Sequence, residues 1–106
     1  METFTTKLGT AKGRSRSRIW IEGRRLLEAG FTAKNTYFIK VWDTASGTLI
    51  LTRAEADHDP KPSKVSGKAD KPIIDITGAK VCEFFTGFDK VNVIYAEGTI
   101  IIKGAE

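Results

Sequence analysis

The chain has 106 residues, of which 41% are hydrophobic and 28% charged, and its formal net charge is +4. These values are typical of one compact globular domain and exclude a wholly disordered chain. One cysteine excludes a disulfide framework or a cysteine-rich zinc site, and no apolar run reaches the roughly 18 residues of a membrane span, so we expect a cytoplasmic protein without a membrane partner.

Positive charge is concentrated near the amino-terminal end of the chain. Residues 1–25 hold seven basic and two acidic side chains, whereas residues 26–106 hold ten basic and eleven acidic ones. The stretch "KGRSRSR" alternates cations with serines, and both side-chain types donate hydrogen bonds to phosphate oxygens. We therefore predict a basic N-terminal arm over residues 1–17, with Lys7 and Lys12 on a flexible part of it.

The next segment, residues 18–53, has the pattern of a strand, a turn and a hairpin. Ile19 and Ile21 alternate with polar residues, and "RRLLEAGF" suits one helical turn that ends at Gly30. An alternating strand, the turn "DTASGT" and the return strand "LILT" follow. The alternating strand is predicted to carry Tyr37, Ile39 and Val41 on one face, and Phe38, Lys40 and Trp42 on the other.

The same order recurs in a second half-unit, predicted over residues 73–104. Ile74 and Ile76 correspond to Ile19 and Ile21, "AKVCEFFTGF" to "RRLLEAGF", and "GTIIIK" to "GTLILT". A unit of about thirty residues cannot bury its own apolar face, whereas two such units can close one core. We therefore predict a mainly β fold of two pseudo-symmetric β-turn-β-β repeats that close one small barrel, with short helical turns.

Residues 54–72 separate the two predicted half-units. This segment contains all three prolines, little apolar content and mixed charge, and we predict a flexible linker. His58 lies there between Asp57 and Asp59, but one histidine in a mobile segment supplies no fixed metal geometry. The sequence therefore predicts no metal ion and no cofactor.

The pattern I-x-I-x-G-x-x-L-x-x-A-G-F, followed by an alternating strand, a glycine turn and L-x-I, resembles the SymE-like toxin family. That family is similar to the AbrB/MazE swapped-hairpin superfamily. The resemblance implies a swapped-hairpin-like barrel, DNA binding, and a transcription regulator or toxin of a toxin-antitoxin type from a phage or mobile element. It covers residues 16–52 well and residues 73–103 in pattern. It is carried by Ile19, Ile21, Gly23, Leu26 or Leu27, Ala29, Gly30, Phe31, Val41, Gly47, Leu49 and Leu51.

The sequence favours a non-enzymatic nucleic-acid-binding protein, with DNA preferred over RNA. No catalytic set can be assembled around the only histidine, and no phosphate-binding glycine loop is present. The predicted contacts to nucleic acid are Lys12, Arg14, Ser15, Arg16, Arg18, Arg24 and Arg25.

Several alternatives stay open at the level of sequence. The same basic arm suits a small protein-interaction module or inhibitor, for example a phage anti-defence protein, that docks on an acidic or nucleic-acid-binding protein surface. An RNA-directed toxin is a third interpretation. Trp20, Phe38 and Trp42 could stack on bases, while Trp20 and Trp42 could instead pack at the seam between the half-units. The chain is expected to be a monomeric pseudo-dimer or a homodimer.

Overall fold

The chain folds into ten β-strands and two short helices, and the computed structural model describes residues 2–106. The prediction of a mainly β fold with short helical turns is confirmed. In chain order the elements are β1 (Glu2–Lys7), β2 (Gly9–Ala11), β3 (Arg14–Glu22), α1 (Arg24–Glu28), β4 (Tyr37–Asp43), β5 (Thr48–Ala54), β6 (Ser63–Lys64), β7 (Ser66–Lys68), β8 (Lys71–Thr77), α2 (Ala79–Phe84), β9 (Lys90–Ala96) and β10 (Thr99–Ala105).

The strands form two sheets, and every strand pairing within residues 2–106 is antiparallel. One sheet has the order β1-β9-β10-β5-β4-β6 and curls into half a barrel, and the other has the order β2-β3-β8-β7. Leu8, between β1 and β2, takes the chain from the first sheet to the second. The hairpins β4–β5 and β9–β10 are joined side by side through β5 and β10.

Two seams join the strands of the first predicted half-unit to those of the second. In the larger sheet β5 pairs with β10, and in the smaller sheet β3 pairs with β8. On the core side of these seams aliphatic residues face each other, which closes a common apolar interior. The facing aliphatic pairs with core side chains are Leu49 with Ile102, Leu51 with Ile100, Ile19 with Ile76 and Ile21 with Ile74.

One hydrophobic core lies between the two sheets, and both predicted half-units contribute to it. Phe31 is fully buried, and its backbone N–H donates to the carbonyl of Leu26 in α1, so the chain after Gly30 folds back onto the helical turn. The most deeply buried large side chains are Phe31, Ile19, Leu26, Leu49, Leu51, Ile74, Ile100, Ile102, Val65, Val81, Val91 and Val93.

Strand β4 turns a different face to the core from the one that its aliphatic residues suggest. Phe38 is 3% exposed and Trp42 packs against the core, whereas Val41 is 44% exposed. This register places the Phe38 ring in the core and packs the Trp42 ring against it. In β9 the alternating set Val91, Val93 and Tyr95 is buried, as its pattern predicts.

Residues 2–7 form β1 and not the expected flexible arm. This strand pairs with β9 from Glu2 opposite Tyr95 to Lys7 opposite Lys90. Its "TFTT" stretch is β-branched and aromatic, which suits a pleated edge, and the following Leu8 is buried in the core. Met1 lies outside the described residues.

Part of the predicted flexible linker is also structured. Ser63–Lys64 and Ser66–Lys68 are the strands β6 and β7, and Val65 between them is fully buried. Val65 donates its N–H to Thr36 and accepts from the N–H of Lys34. One apolar side chain with two backbone hydrogen bonds is enough to attach this segment to the core. No helix within residues 2–106 is long and apolar enough to cross a membrane.

Candidate nucleic-acid interface

The tip of the β2–β3 hairpin presents two exposed cations. Lys12 and Gly13 form the turn with φ values of 52° and 79°, the left-handed pair that a tight two-residue hairpin requires. Arg14 begins β3 directly after the turn. Neither Lys12 nor Arg14 forms an ion pair with any described residue, so both charges are available to an anionic partner.

A bulge in β3 fixes the hairpin behind its tip. Gly9 and Ala11 of β2 pair with Arg18 and Arg14 of β3. Three residues of β3 lie between these two partners, opposite a single residue of β2. Arg16, within this bulge, has a φ of 56°. Ser17 is 1% exposed; its hydroxyl donates to the Arg14 carbonyl at 2.6 Å and accepts from the Ala11 N–H at 3.2 Å. These hydrogen bonds replace ladder bonds that the bulge interrupts.

Arg16 lies beside a second group of cations at the end of β1. Its Nη1 is 3.3 Å from Asp89 Oδ1, and the Asp89 carbonyl accepts from the N–H of Leu8, the residue after Lys7. Lys7 faces Lys90 across the β1–β9 ladder, and both side chains are exposed. This part of the surface thus holds the three cations Arg16, Lys7 and Lys90 and the one carboxylate of Asp89, so its net charge is positive. The sequence did not predict Lys90 as a contact to nucleic acid, because Lys7, which faces it across the ladder, was expected on a flexible arm.

Arg18 is held by a carboxylate of the neighbouring strand. Its Nε and Nη2 donate to the two carboxylate oxygens of Asp75 at 2.9 Å and 2.7 Å, and its guanidinium lies 4.7 Å from the centre of the Trp20 ring. The hydrogen bond to Asp75 raises the pKa of Arg18 above its usual value, because it stabilises the charged form. Arg18 is thus held within the protein by two hydrogen bonds and one cation–π contact.

The two arginines of α1 lie apart from the hairpin. Arg24 pairs with Glu28 of the same helix at 3.6 Å, and the Arg25 guanidinium lies 4.6 Å from the centre of the Phe4 ring. Strand β3 separates them from the hairpin tip by roughly 26 Å, since a strand rises about 3.3 Å per residue. Two groups are therefore present: Lys12, Arg14, Ser15, Arg16 and Arg18 on β2–β3, and Arg24 and Arg25 on α1.

The three aromatic residues considered for base stacking have different environments. Phe38 is buried, and Trp42 packs edge-on against Phe84 of α2 with ring centres 5.0 Å apart. Because α2 belongs to the second predicted half-unit, Trp42 packs at the seam, as one of the two interpretations predicts. Trp20 remains 40% exposed, on the face of β3 that points away from the core. Only Trp20 of these three is accessible to a base.

Within residues 2–106 no group of three or more histidine, cysteine, aspartate or glutamate side chains is arranged to hold a metal ion. His58 Nδ1 instead lies 3.0 Å from the carbonyl oxygen of Pro60. Comparison with protein-family models, with curated proteins and with solved structures finds no match for this chain. The physical properties of the surface are therefore the basis for assigning a function.

Proposed function

We propose that this protein is a non-enzymatic nucleic-acid-binding protein that contacts phosphates along one basic surface, the β2–β3 hairpin with the adjoining end of the β1–β9 ladder. The observation that carries the proposal is the exposed pair Lys12 and Arg14, neither of which is ion-paired with a described residue, at a hairpin tip that Ser17 holds in place. Lys7 and Lys90 extend the same positive surface. Phosphates neutralised by such cations release counterions, which gives affinity without base specificity.

We further propose that the chain is a pseudo-dimer of two SymE-like or AbrB-like half-units. A twofold axis through an antiparallel seam places equivalent residues of the two repeats opposite each other. Ile50 faces Ile101 in the larger sheet, and Trp20 faces Asp75 in the smaller one, and both pairs are equivalent positions of the repeat. These registers support the pseudo-symmetric barrel.

A pair of backbone hydrogen bonds supports the same symmetry. The N–H of Gly23 donates to the Pro72 carbonyl at 3.0 Å, and the N–H of Gly78 donates to the Ser17 carbonyl at 3.0 Å. Gly23 and Gly78 are equivalent in the repeat, as are Ser17 and Pro72. Each half-unit thereby attaches the start of its helix to the first strand of the other, which supports a swapped-hairpin arrangement.

The two half-units carry different charges, so nucleic acid would bind them unequally. The positions of the second repeat that correspond to Arg14 and Arg24 are Ala69 and Ala79. The resemblance to DNA-binding swapped-hairpin proteins makes DNA the preferred polymer. A regulator or toxin encoded by a phage or mobile element would have these properties.

A salt series measures the proposed phosphate contacts. We expect labelled random duplex DNA, followed by fluorescence anisotropy, to bind with an affinity that falls steeply with salt. The double variant Lys12→Ala with Arg14→Ala should reduce the slope of log affinity against log salt by about 1.8, since each phosphate contact contributes about 0.9. Single-stranded RNA, measured in parallel, compares the two polymers.

The matched control is the double variant Lys61→Ala with Lys68→Ala. It removes the same charge from exposed positions on the linker and on β7. An equal reduction in slope would mean that net charge, and not this hairpin, governs binding. Absence of binding to both polymers at low salt would refute the proposed function.

A second candidate function is a protein-interaction module, and the outer face of the larger sheet favours it. Val41, Ile50, Ile101 and Ile94 lie side by side across β4, β5, β10 and β9, on the face that points away from the core. Val41 is 44% exposed and the other three are half-buried. Contiguous exposed aliphatic side chains on a sheet are typical of a surface that a protein partner covers.

Light scattering after gel filtration tests whether the partner is a second copy. If the protein is a dimer and Val41→Asp converts it to a monomer, then the stripe of Val41, Ile50, Ile101 and Ile94 mediates self-association, in agreement with the homodimer alternative. A monomer at high protein concentration would leave the stripe for a different protein. Retention of nucleic-acid binding by Val41→Asp would show that the two surfaces act independently.

A further inference from the structure

Two exposed aromatic rings line one cleft between the two sheets. Phe4 of β1 and Trp20 of β3 are each 40% exposed, and no other aromatic side chain described in the structure is as accessible. They bound a cleft of about 300 Å³ that Glu22, Arg25 and Tyr95 also line. Large rings are seldom left exposed on the same cleft without a ligand or partner to cover them.

Each of these rings has an arginine beside it. The guanidinium of Arg25 lies 4.6 Å from the centre of the Phe4 ring, and that of Arg18 lies 4.7 Å from the centre of the Trp20 ring. Glu22, at the margin of the cleft, is 3.8 Å from Lys71 Nζ, so its carboxylate is only loosely held and can accept a hydrogen bond. The cleft therefore combines π faces, cations and one acceptor.

This combination matches the chemistry of an unpaired nucleobase and its flanking phosphates. Bases stack on aromatic faces irrespective of sequence, while arginines beside the rings attract the phosphates on either side. In a duplex the base faces are already stacked on their neighbours and cannot enter such a cleft. A volume of about 300 Å³ is at the small end of ligand pockets, which suits a single ring system rather than an extended ligand.

We propose that the cleft between Phe4 and Trp20 binds an unpaired base of a single-stranded nucleic acid. Trp20 and Phe4 provide the stacking faces, Arg25 contacts an adjacent phosphate, and Glu22 accepts a hydrogen bond from an N–H group of the base. This inference rests on the proposed nucleic-acid function and narrows its ligand to strands with at least one unpaired base. The β2–β3 hairpin would contact phosphates further along the same strand.

Abasic oligonucleotides separate base stacking from phosphate contact. A labelled oligothymidine and an abasic strand of the same length carry the same phosphates, so the hairpin should bind both. We expect Trp20→Ala and Phe4→Ala to weaken oligothymidine binding by about 5- to 150-fold each, the range for loss of one stacked base. Both variants should bind the abasic strand as the parent protein does.

Two further variants control for structural damage. Trp20→Phe keeps an aromatic face and should recover most of the affinity that Trp20→Ala loses. Leu27→Ala removes another exposed apolar side chain, on α1 but not in the cleft, and should leave binding unchanged. The affinity for oligouridine RNA, compared with that for oligothymidine, shows whether the unpaired base comes from RNA or from DNA.

The fluorescence of Trp20 reports directly on the cleft, because this residue lines it. The protein has two tryptophans, and Trp42 packs against Phe84, so Trp42→Phe leaves Trp20 as the only tryptophan while keeping an aromatic ring at the seam. Oligothymidine should quench Trp20, and the abasic strand should not.

Equal affinity for the oligothymidine and the abasic strand, with no quenching of Trp20, would overturn the cleft inference and leave the phosphate surface intact. Failure of both strands and of duplex DNA to bind would instead refute the proposed function.

Discussion

The guanidinium of Arg18 donates two hydrogen bonds to the carboxylate of Asp75, at 2.9 Å and 2.7 Å, and so joins β3 to β8 across the seam of the smaller sheet. Bidentate pairs of this kind fix the plane of the guanidinium as well as its position. Arg18 is thereby held against Trp20, with its pKa raised by the hydrogen bond. Asp75 also accepts from two N–H donors of Arg18 that would otherwise be available to a phosphate.

Asp75 is therefore expected to restrain nucleic-acid binding. In Asp75→Asn, Arg18 loses its anionic partner and can contact a phosphate, so affinity should increase. The slope of log affinity against log salt should steepen by up to about 0.7 for a single strand. Fluorescence anisotropy over a salt series measures both quantities. Asp57→Asn, which changes an exposed carboxylate outside the site by the same charge, is the control; an equal gain in that variant would contradict a specific role for Asp75.

Ser17 is expected to stabilise the hairpin that carries Lys12 and Arg14. Ser17→Ala leaves the partly buried N–H of Ala11 without its side-chain acceptor and should lower the free energy of unfolding by about 0.5–1.5 kcal/mol. Urea denaturation measures the change. Ser15→Ala on the same strand, at an exposed position, should stay within about 0.5 kcal/mol of the parent. Similar losses in both variants would mean that the Ser17 hydrogen bonds contribute little.

The seam between β5 and β10 is expected to be a main source of stability. Leu51 faces Ile100, and both are fully buried, so Leu51→Ala should lower the free energy of unfolding by about 2–5 kcal/mol. Ile50, the preceding residue, points to the outer face, and Ile50→Ala should cost less. Equilibrium denaturation of the two variants checks the register. A larger loss in Ile50→Ala would place the core on the opposite face of β5.

The facing pair Lys7 and Lys90 is expected to favour binding at the expense of stability. Like charges opposite each other on a ladder are destabilising, so Lys90→Thr should raise the free energy of unfolding by about 0.2–1 kcal/mol. The same variant should weaken nucleic-acid binding, because it removes one cation from the basic surface. Denaturation measures the expected gain in stability, and fluorescence anisotropy measures the expected loss of nucleic-acid affinity.

Lys103→Thr is the matched control for this pair. It removes the same charge from β10, where Lys103 faces Asn92 and Thr48 and no like charge. Stability should therefore not rise. A gain in stability in Lys103→Thr equal to that in Lys90→Thr would attribute the effect to threonine in a strand and not to charge repulsion.

Some features of the candidate site required the pairing of strands that are distant in the sequence. Arg18 and Asp75 are 57 positions apart, and Arg16 and Asp89 are 73 apart, so neither ion pair has a local signature. The sequence predicted these arginines as phosphate ligands because it shows their charge but not their partners. Likewise, no local pattern in the sequence connects Phe4 with Trp20. The two residues come together because β1 and β3 both border one cleft.

The sequence by itself determined the order of the strands and helical turns within residues 18–53 and 73–104, the mainly β class and the excess of positive charge near the amino-terminal end. These follow from alternation, glycine positions and composition, all of which act over a few residues. The tertiary structure alone decided that residues 2–7 pair with β9, that Val65 anchors the linker and that β4 buries Phe38 and packs Trp42 against the core. Those outcomes depend on which apolar surfaces can be buried together across the whole chain, and a local pattern carries no information about a partner that lies 50 or more residues away.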